Sequence, residues 1–116
     1  MQYMLLIYDN EAQFAGMGDE ERNRLMGDYF SYTEELRQAG AFVAGDALQP
    51  TQSATSVRLR DGERLVTDGP FAETKEQLGG YYLIEAENLD RAIEAAARCP
   101  GAEYGSMEVR PLLDMS

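Results

Sequence analysis

The stretch Thr67-Asp68-Gly69-Pro70-Phe71-Ala72-Glu73-Thr74-Lys75-Glu76-Gln77-Leu78-Gly79-Gly80 holds the densest set of residues able to do chemistry in this sequence. Asp-Gly-Pro is turn chemistry: an Asp side chain accepts backbone N–H bonds, Gly permits positive φ, and Pro sets the next φ. Behind that rigid start, Phe71 offers an apolar anchor, and Glu73, Lys75 and Glu76 place charges beside it. A carboxylate held in this way suits a general base, and a nearby cation suits stabilisation of an oxyanion. Asp68 and Glu73 are the candidate catalytic residues, and Lys75 a candidate ligand contact. A connection of this length inside a small domain is often functional. The competing reading is an Asx-turn running into a solvated helical turn with Phe71 and Leu78 on one face.

A second constellation is Arg58, Glu108 and Arg110, predicted on the polar faces of two strands. Two guanidinium groups facing one cavity would grip a carboxylate or phosphate in bidentate fashion, whereas an exposed cross-strand ion network would do no chemistry. Tyr8, Tyr81 and Tyr82 are placed to line a pocket or to pack, with Tyr81 the candidate ligand contact, while Tyr29 and Tyr32 belong to a helix stripe and read as core. Cys99 lacks a basic neighbour that would activate it and reads as a small buried hydrophobe. There is no histidine, which removes His-based triads, most zinc sites, facial-triad iron and the usual haem ligand. No metal site and no cofactor is expected, and no phosphate-binding or dinucleotide glycine pattern occurs.

The elements that must position these groups follow from periodicity. Residues 2–8 alternate as a strand that is apolar on both faces. Residues 9–18 read as a polar connection, and Asp19-Glu20-Glu21 opens a helix over about 19–39 with Leu25, Tyr29, Tyr32 and Leu36 on one stripe and Met26 and Phe30 widening it. Gly40 stops it. Residues 41–48 suit a second strand and 49–53 a loop. Asp61-Gly62 between 55–60 and 63–66 is the pair that suits a two-residue type I′ hairpin. Gly79-Gly80 introduces a strand over 81–85, again apolar on both faces. A helix over 89–98 has Asn88 as N-cap and Leu89, Ala92, Ile93 and Ala96 as its stripe, ended by Pro100-Gly101. A last strand near 106–110 ends at Pro111.

That order predicts one α+β domain over residues 1–116, a ferredoxin-like sandwich with an added β-hairpin. The chain of 116 residues is long enough to bury roughly two-thirds of its unfolded surface. Two helices cover one face of a sheet, so strands apolar on both faces call for a second copy against the other face, a homodimer. With 21 acidic against 10 basic residues the formal net charge is −11, which disfavours nucleic acid and anionic membrane surfaces. No apolar run approaches the ~20 residues of a membrane span and no basic leader opens the chain, so a cytoplasmic location is expected. One cysteine excludes an intramolecular disulfide.

Tyr3-Met4-Leu5-Leu6-Ile7-Tyr8, Val57-Arg58, Asp68-Gly69-Pro70-Phe71-Ala72-Glu73-Thr74-Lys75-Glu76, Gly79-Gly80-Tyr81-Tyr82 and Glu108-Val109-Arg110-Pro111 together resemble the YCII-related family in its DGPF-domain branch. The resemblance spans essentially the whole chain. It implies a ferredoxin-like fold that pairs into a dimeric α+β barrel. Better-studied relatives are proposed to use a His-Asp pair in a lyase or dehydrochlorinase reaction, and a chain without histidine has no such pair to carry over. The branch is often encoded beside extracytoplasmic-function sigma factors. Three expectations follow. The first is binding of a small, possibly anionic, organic ligand in the dimer. The second is a histidine-free lyase or isomerase with a carboxylate base. The third is an accessory or regulatory protein linked to a sigma factor.

Overall fold

Strand β1 (Gln2–Asp9) alternates buried Tyr3, Leu5 and Ile7 with half-buried Met4, Leu6 and Tyr8, as a central strand with two unequal faces should. The structure, a computed structural model, describes residues 1–115. After β1 come α1 (Glu11–Ala15), α2 (Asp19–Gln38), β2 (Phe42–Ala47), a 3-10 turn (Thr51–Ser53), β3 (Thr55–Arg60), β4 (Glu63–Asp68), β5 (Gln77–Glu85), α3 (Leu89–Arg98), α4 (Gly101–Tyr104) and β6 (Ser106–Pro111). The main sheet is antiparallel in the order β2-β5-β1-β6, and β3-β4 forms a separate two-stranded sheet. This is the ferredoxin-like α+β sandwich with an added hairpin that the element order predicts.

The core lies between one face of the main sheet and the two long helices. Leu5, Ile84, Leu36 and Cys99 are its most fully buried side chains, and Tyr32 donates its hydroxyl to the Ala95 carbonyl at 2.6 Å, tying α2 to α3. Helix α2 ends in a Schellman arrangement: the Ala41 N–H reaches the Leu36 carbonyl at 2.9 Å, the Gly40 N–H reaches Arg37 at 3.0 Å, and Gly40 has φ +72°. Asn88 caps α3 by accepting from the Arg91 N–H at 3.0 Å.

Four expectations are corrected. Residues 11–15 are helical, because the Asn10 side chain accepts from the Ala12 and Gln13 N–H groups and starts a turn. Strand β5 begins at Gln77, so Gly79-Gly80 lie inside it; Ile7 pairs with Gly80 and Tyr8 with Leu78, which leaves Gly79 as the extra residue of a bulge. The stripe of α3 is rotated: Ala92, Ala95 and Ala96 are buried, while Leu89 and Ile93 are about half exposed, since alanines let the helix approach the sheet closely. Met26 and Phe30 stay exposed, at 54% and 71%, because the sheet meets only the narrower Leu25-Tyr32-Leu36 line of α2.

The hairpin turn has positive φ at Asp61 (52°) and Gly62 (76°), as a type I′ turn requires. Val57 faces Val66 across it, and both are exposed, as is Leu59. The molecule measures 47 × 46 × 19 Å, and its radius of gyration of 16.1 Å exceeds the ~13 Å of a compact domain of this length. A projecting hairpin on a thin sandwich produces that shape.

Candidate functional site

A cavity of about 910 Å³ opens beside the C-terminal end of β1. Its floor is Ile7, Asp9, Gly79, Gly80 and Tyr82, one wall is the Leu25-Tyr29-Thr33 side of α2, and the opposite wall is α1 with residues 48–52. Small residues thin the floor. A β-carbon at position 45 would stand 2.7 Å from the Tyr82 ring, and one at position 79 would stand 3.3 Å from Asp9 Oδ1, so Gly45 and Gly79 make room for those two side chains. The wall opposite α2 is held shut by Glu11: its carboxylate accepts from the Thr51 N–H and the Thr51 hydroxyl, each at 2.7 Å, while its own N–H donates to Gln77 Oε1 at 3.0 Å.

Asp9 is the electrostatic centre of the cavity. Its carboxyl receives no protein hydrogen bond among the described residues, and burial, followed by the Glu11 and Glu76 carboxylates, pushes its pKa above the ordinary value. A half-buried carboxyl that holds its proton more tightly than usual is the type of group that serves as an acid, a base or a ligand anchor. Tyr29 lines the same cavity. Its hydroxyl sits where a β-carbon at Gly101 would be 2.7 Å away, and its pKa is raised by burial first, then by Cys99 and Asp9. The Cys99 thiol is itself pushed up by burial, so it stays an unreactive, 1% exposed core group, as its sequence context predicts. Thr33 donates to the Tyr29 carbonyl at 2.9 Å, which leaves Tyr82 as the donor in its 2.8 Å bond to the Thr33 hydroxyl.

The residues singled out from sequence are placed apart from one another. Of them, Tyr81 and Tyr82 line the cavity, and the Tyr81 hydroxyl donates to Asp46 at 3.3 Å. Asp68, Glu73 and Lys75 are exposed and do not line it. The Asp-Gly-Pro turn is held by the Gly69 N–H on the Ala54 carbonyl at 2.7 Å and the Ser56 hydroxyl on the Gly69 carbonyl at 2.8 Å, and among the described residues the Asp68 side chain makes no hydrogen bond. Phe71, read as an anchor, is 78% exposed. Arg58 stands on the separate hairpin opposite Leu65, whereas Arg110 stands on β6 and is paired with Glu108, so the two guanidinium groups share no face of one sheet. Among the described residues no group of three or more His, Cys, Asp or Glu is arranged to hold a metal ion, and no helix is long and apolar enough to cross a membrane.

Asp9 was not singled out in the sequence, and Tyr29, read there as core, packs against the core but is half-buried and lines the cavity. The available signal was Asp9 as the first charged residue after a strand apolar on both faces, and Tyr29 as one of two polar-tipped members of the α2 stripe, the other being Tyr32. What makes them a site is their meeting with Gly79 and Gly101, far away along the chain.

A four-stranded antiparallel sheet with both long helices on one face and an aromatic, carboxyl-bearing cavity at the end of its central strand defines a ferredoxin-like protein with room for a small molecule. The chain belongs to the YCII-related domain family, whose model matches residues 1–116. It is 41% identical over 114 residues to an uncharacterised protein of Rhizobium meliloti (strain 1021), covering 97% of this chain and 92% of that protein. Among solved structures it resembles 5-chloro-2-hydroxyhydroquinone dehydrochlorinase (TftG) from Burkholderia phenoliruptrix, in complex with 2,5-dihydroxybenzoquinone. The TM-score is 0.57 at 14% identity, over 97% of this chain and 94% of that one. At that identity the likeness concerns the fold.

Proposed function

We propose that this protein is a cytoplasmic homodimer, paired through the open face of the main sheet, that binds a small aromatic organic molecule in the cavity at Asp9. The observation that carries the reading is an Asp9 carboxyl without a protein donor, facing about 910 Å³ of space walled by Phe14, Tyr29 and Tyr82. Concave, mostly apolar sites with one or two unpaired polar groups are the usual form of small-molecule pockets. The solved relative, held with a quinone, supports the same class of ligand. For the dimer, Met4, Leu6, Tyr8 and Leu83 leave the open face apolar and half covered, and a standard interface would remove roughly 800 Å² per partner from water.

A second reading is supported by the raised Asp9 pKa: a histidine-free lyase or isomerase in which Asp9, in place of Asp68 or Glu73, moves the proton and Tyr29, lining the same cavity, is a hydrogen-bond donor. The test of binding is a titration of the full chain with phenol, followed by amide chemical shifts. Shifts centred on Gly79, Gly80 and Tyr82 are expected. Shifts confined to residues 67–76 would overturn the cavity reading, and sedimentation as a monomer at micromolar concentration would overturn the dimer.

A further inference from the structure

The sign of the charge inside the cavity narrows the ligand class. Three carboxylates line it, Asp9, Glu11 and Asp46, against one basic side chain, Arg37. Arg37 is already engaged, with Nη1 2.9 Å from Glu34 Oε1 and its guanidinium 4.8 Å from the Phe42 ring centre. Glu11 is engaged through both oxygens by Thr51, and Asp46 accepts from Tyr81. That leaves Asp9 as the acceptor open to a ligand, while the cation that would neutralise an anionic ligand is spent elsewhere. An anion entering here would meet uncompensated carboxylates. Arg22, whose guanidinium lies 5.3 Å from the Phe14 ring centre with its Nε unpartnered among the described residues, turns its Nη2 to the Phe14, Ala15 and Met17 carbonyls at 3.4 Å. It is not among the lining residues, and Arg58 and Arg110 line other surfaces. A cation would relieve the repulsion among Asp9, Glu11 and Glu76, and the negative faces of aromatic rings favour it further.

We propose that the cavity selects a cationic aromatic amine, its ammonium on the Asp9 carboxylate and its ring against Phe14, Tyr29 and Tyr82. This rests on the reading that the cavity binds a small aromatic molecule, and it replaces the anionic ligand anticipated from Arg58 and Arg110. The pairing accounts for an acceptor that has no donor among the described residues. It also assigns the selectivity to charge at one end of the ligand and to ring contact at the other.

Three probes of similar size decide the matter: benzylamine, benzyl alcohol and benzoate, each titrated into the full chain at neutral pH in 150 mM salt, with amide shifts recorded. Benzylamine is expected to bind about tenfold more tightly than benzyl alcohol, the usual advantage of a charge-assisted hydrogen bond, with benzoate weakest and the shifts centred on Gly79 and Gly80. Asp9→Asn, close to isosteric, should remove the advantage of benzylamine while leaving benzyl alcohol bound. Benzoate or benzyl alcohol binding as tightly as benzylamine overturns the charge selection and leaves the cavity reading standing. So does benzylamine spreading its shifts over the acidic surface, or keeping its affinity in Asp9→Asn. Failure of all three probes to bind removes the cavity reading together with this one.

Discussion

Gly79 leaves open the space beside the Asp9 carboxylate: a β-carbon there would stand 3.3 Å from Oδ1 and 3.6 Å from Oδ2. The two residues meet across the β1–β5 bulge, where the register skips Gly79. A close approach of this type is tighter than most side-chain contacts, so either the carboxylate or the strand must yield if the space is filled.

Gly79→Ala should therefore displace the Asp9 carboxyl by a few tenths of an ångström and weaken phenol or benzylamine binding several-fold. Its effect on stability should stay within about 1 kcal/mol, because reduced freedom of the unfolded chain offsets part of the crowding. Denaturant unfolding alongside probe titration separates the two effects, and a variant that binds like the wild type would show that the approach is unimportant.

Stability should depend on pH through Asp9 in a defined direction. Burial and the neighbouring carboxylates raise its pKa in the folded chain, so the folded state retains this proton to higher pH than the unfolded state does. The contribution is complete below the ordinary value of 3.8 and is lost as pH rises through the folded pKa. Asp9→Asn cannot ionise and should melt higher than the wild type at pH 7, with the gap closing below that ordinary value. Melting curves of both proteins across this range test it; a gap that widens toward acid would reverse the assignment.

Glu11→Ala removes two hydrogen bonds to Thr51 and with them the tie between α1 and residues 48–53. The Thr51 amide should exchange with solvent at least tenfold faster, and global stability should fall by about 1–3 kcal/mol, the range for bonds to a charged acceptor. Unchanged exchange at Thr51 would mean that packing alone holds this wall.

Gly62→Val should be costly locally and mild globally. A β-branched residue is strained at φ +76°, yet the hairpin pairs with no strand of the main sheet. Cross-strand contacts between Val57 and Val66 should weaken in nuclear Overhauser spectra while the core signals of Leu5 and Ile84 persist. Loss of both sets together would show that the hairpin supports the sandwich.

Asp68→Asn should leave phenol binding unchanged and move stability by no more than about 0.5 kcal/mol, since the carboxylate is exposed and the turn is held through Gly69 and Ser56. If binding disappears in this variant, the site belongs to residues 67–76 and the assignment to Asp9 fails.

What the chain encodes locally was legible without coordinates. Asp61-Gly62 forces its own turn, Asn88 caps the helix that follows it, and Gly40 ends α2 by adopting the one backbone conformation that other residues avoid. Each outcome depends on atoms within a few residues. The two apolar faces of β1 and β5 were equally readable, because alternation has a period of two wherever a strand is placed. Contacts between distant residues were decided only by tertiary structure. The Asp9 carboxyl is perturbed because folding half-buries it near Glu11 and Glu76, it finds room because Gly79, seventy residues later, lies beside it, and the Tyr29 hydroxyl finds room because Gly101 leaves a gap for it. Arg58 and Arg110 carry the same charge and the same strand alternation, yet β3 pairs only with β4 and leaves the main sheet. Periodicity specifies which side of a strand a residue occupies; which sheet that strand joins, and what faces it there, depends on packing between segments that the order of residues does not bring together.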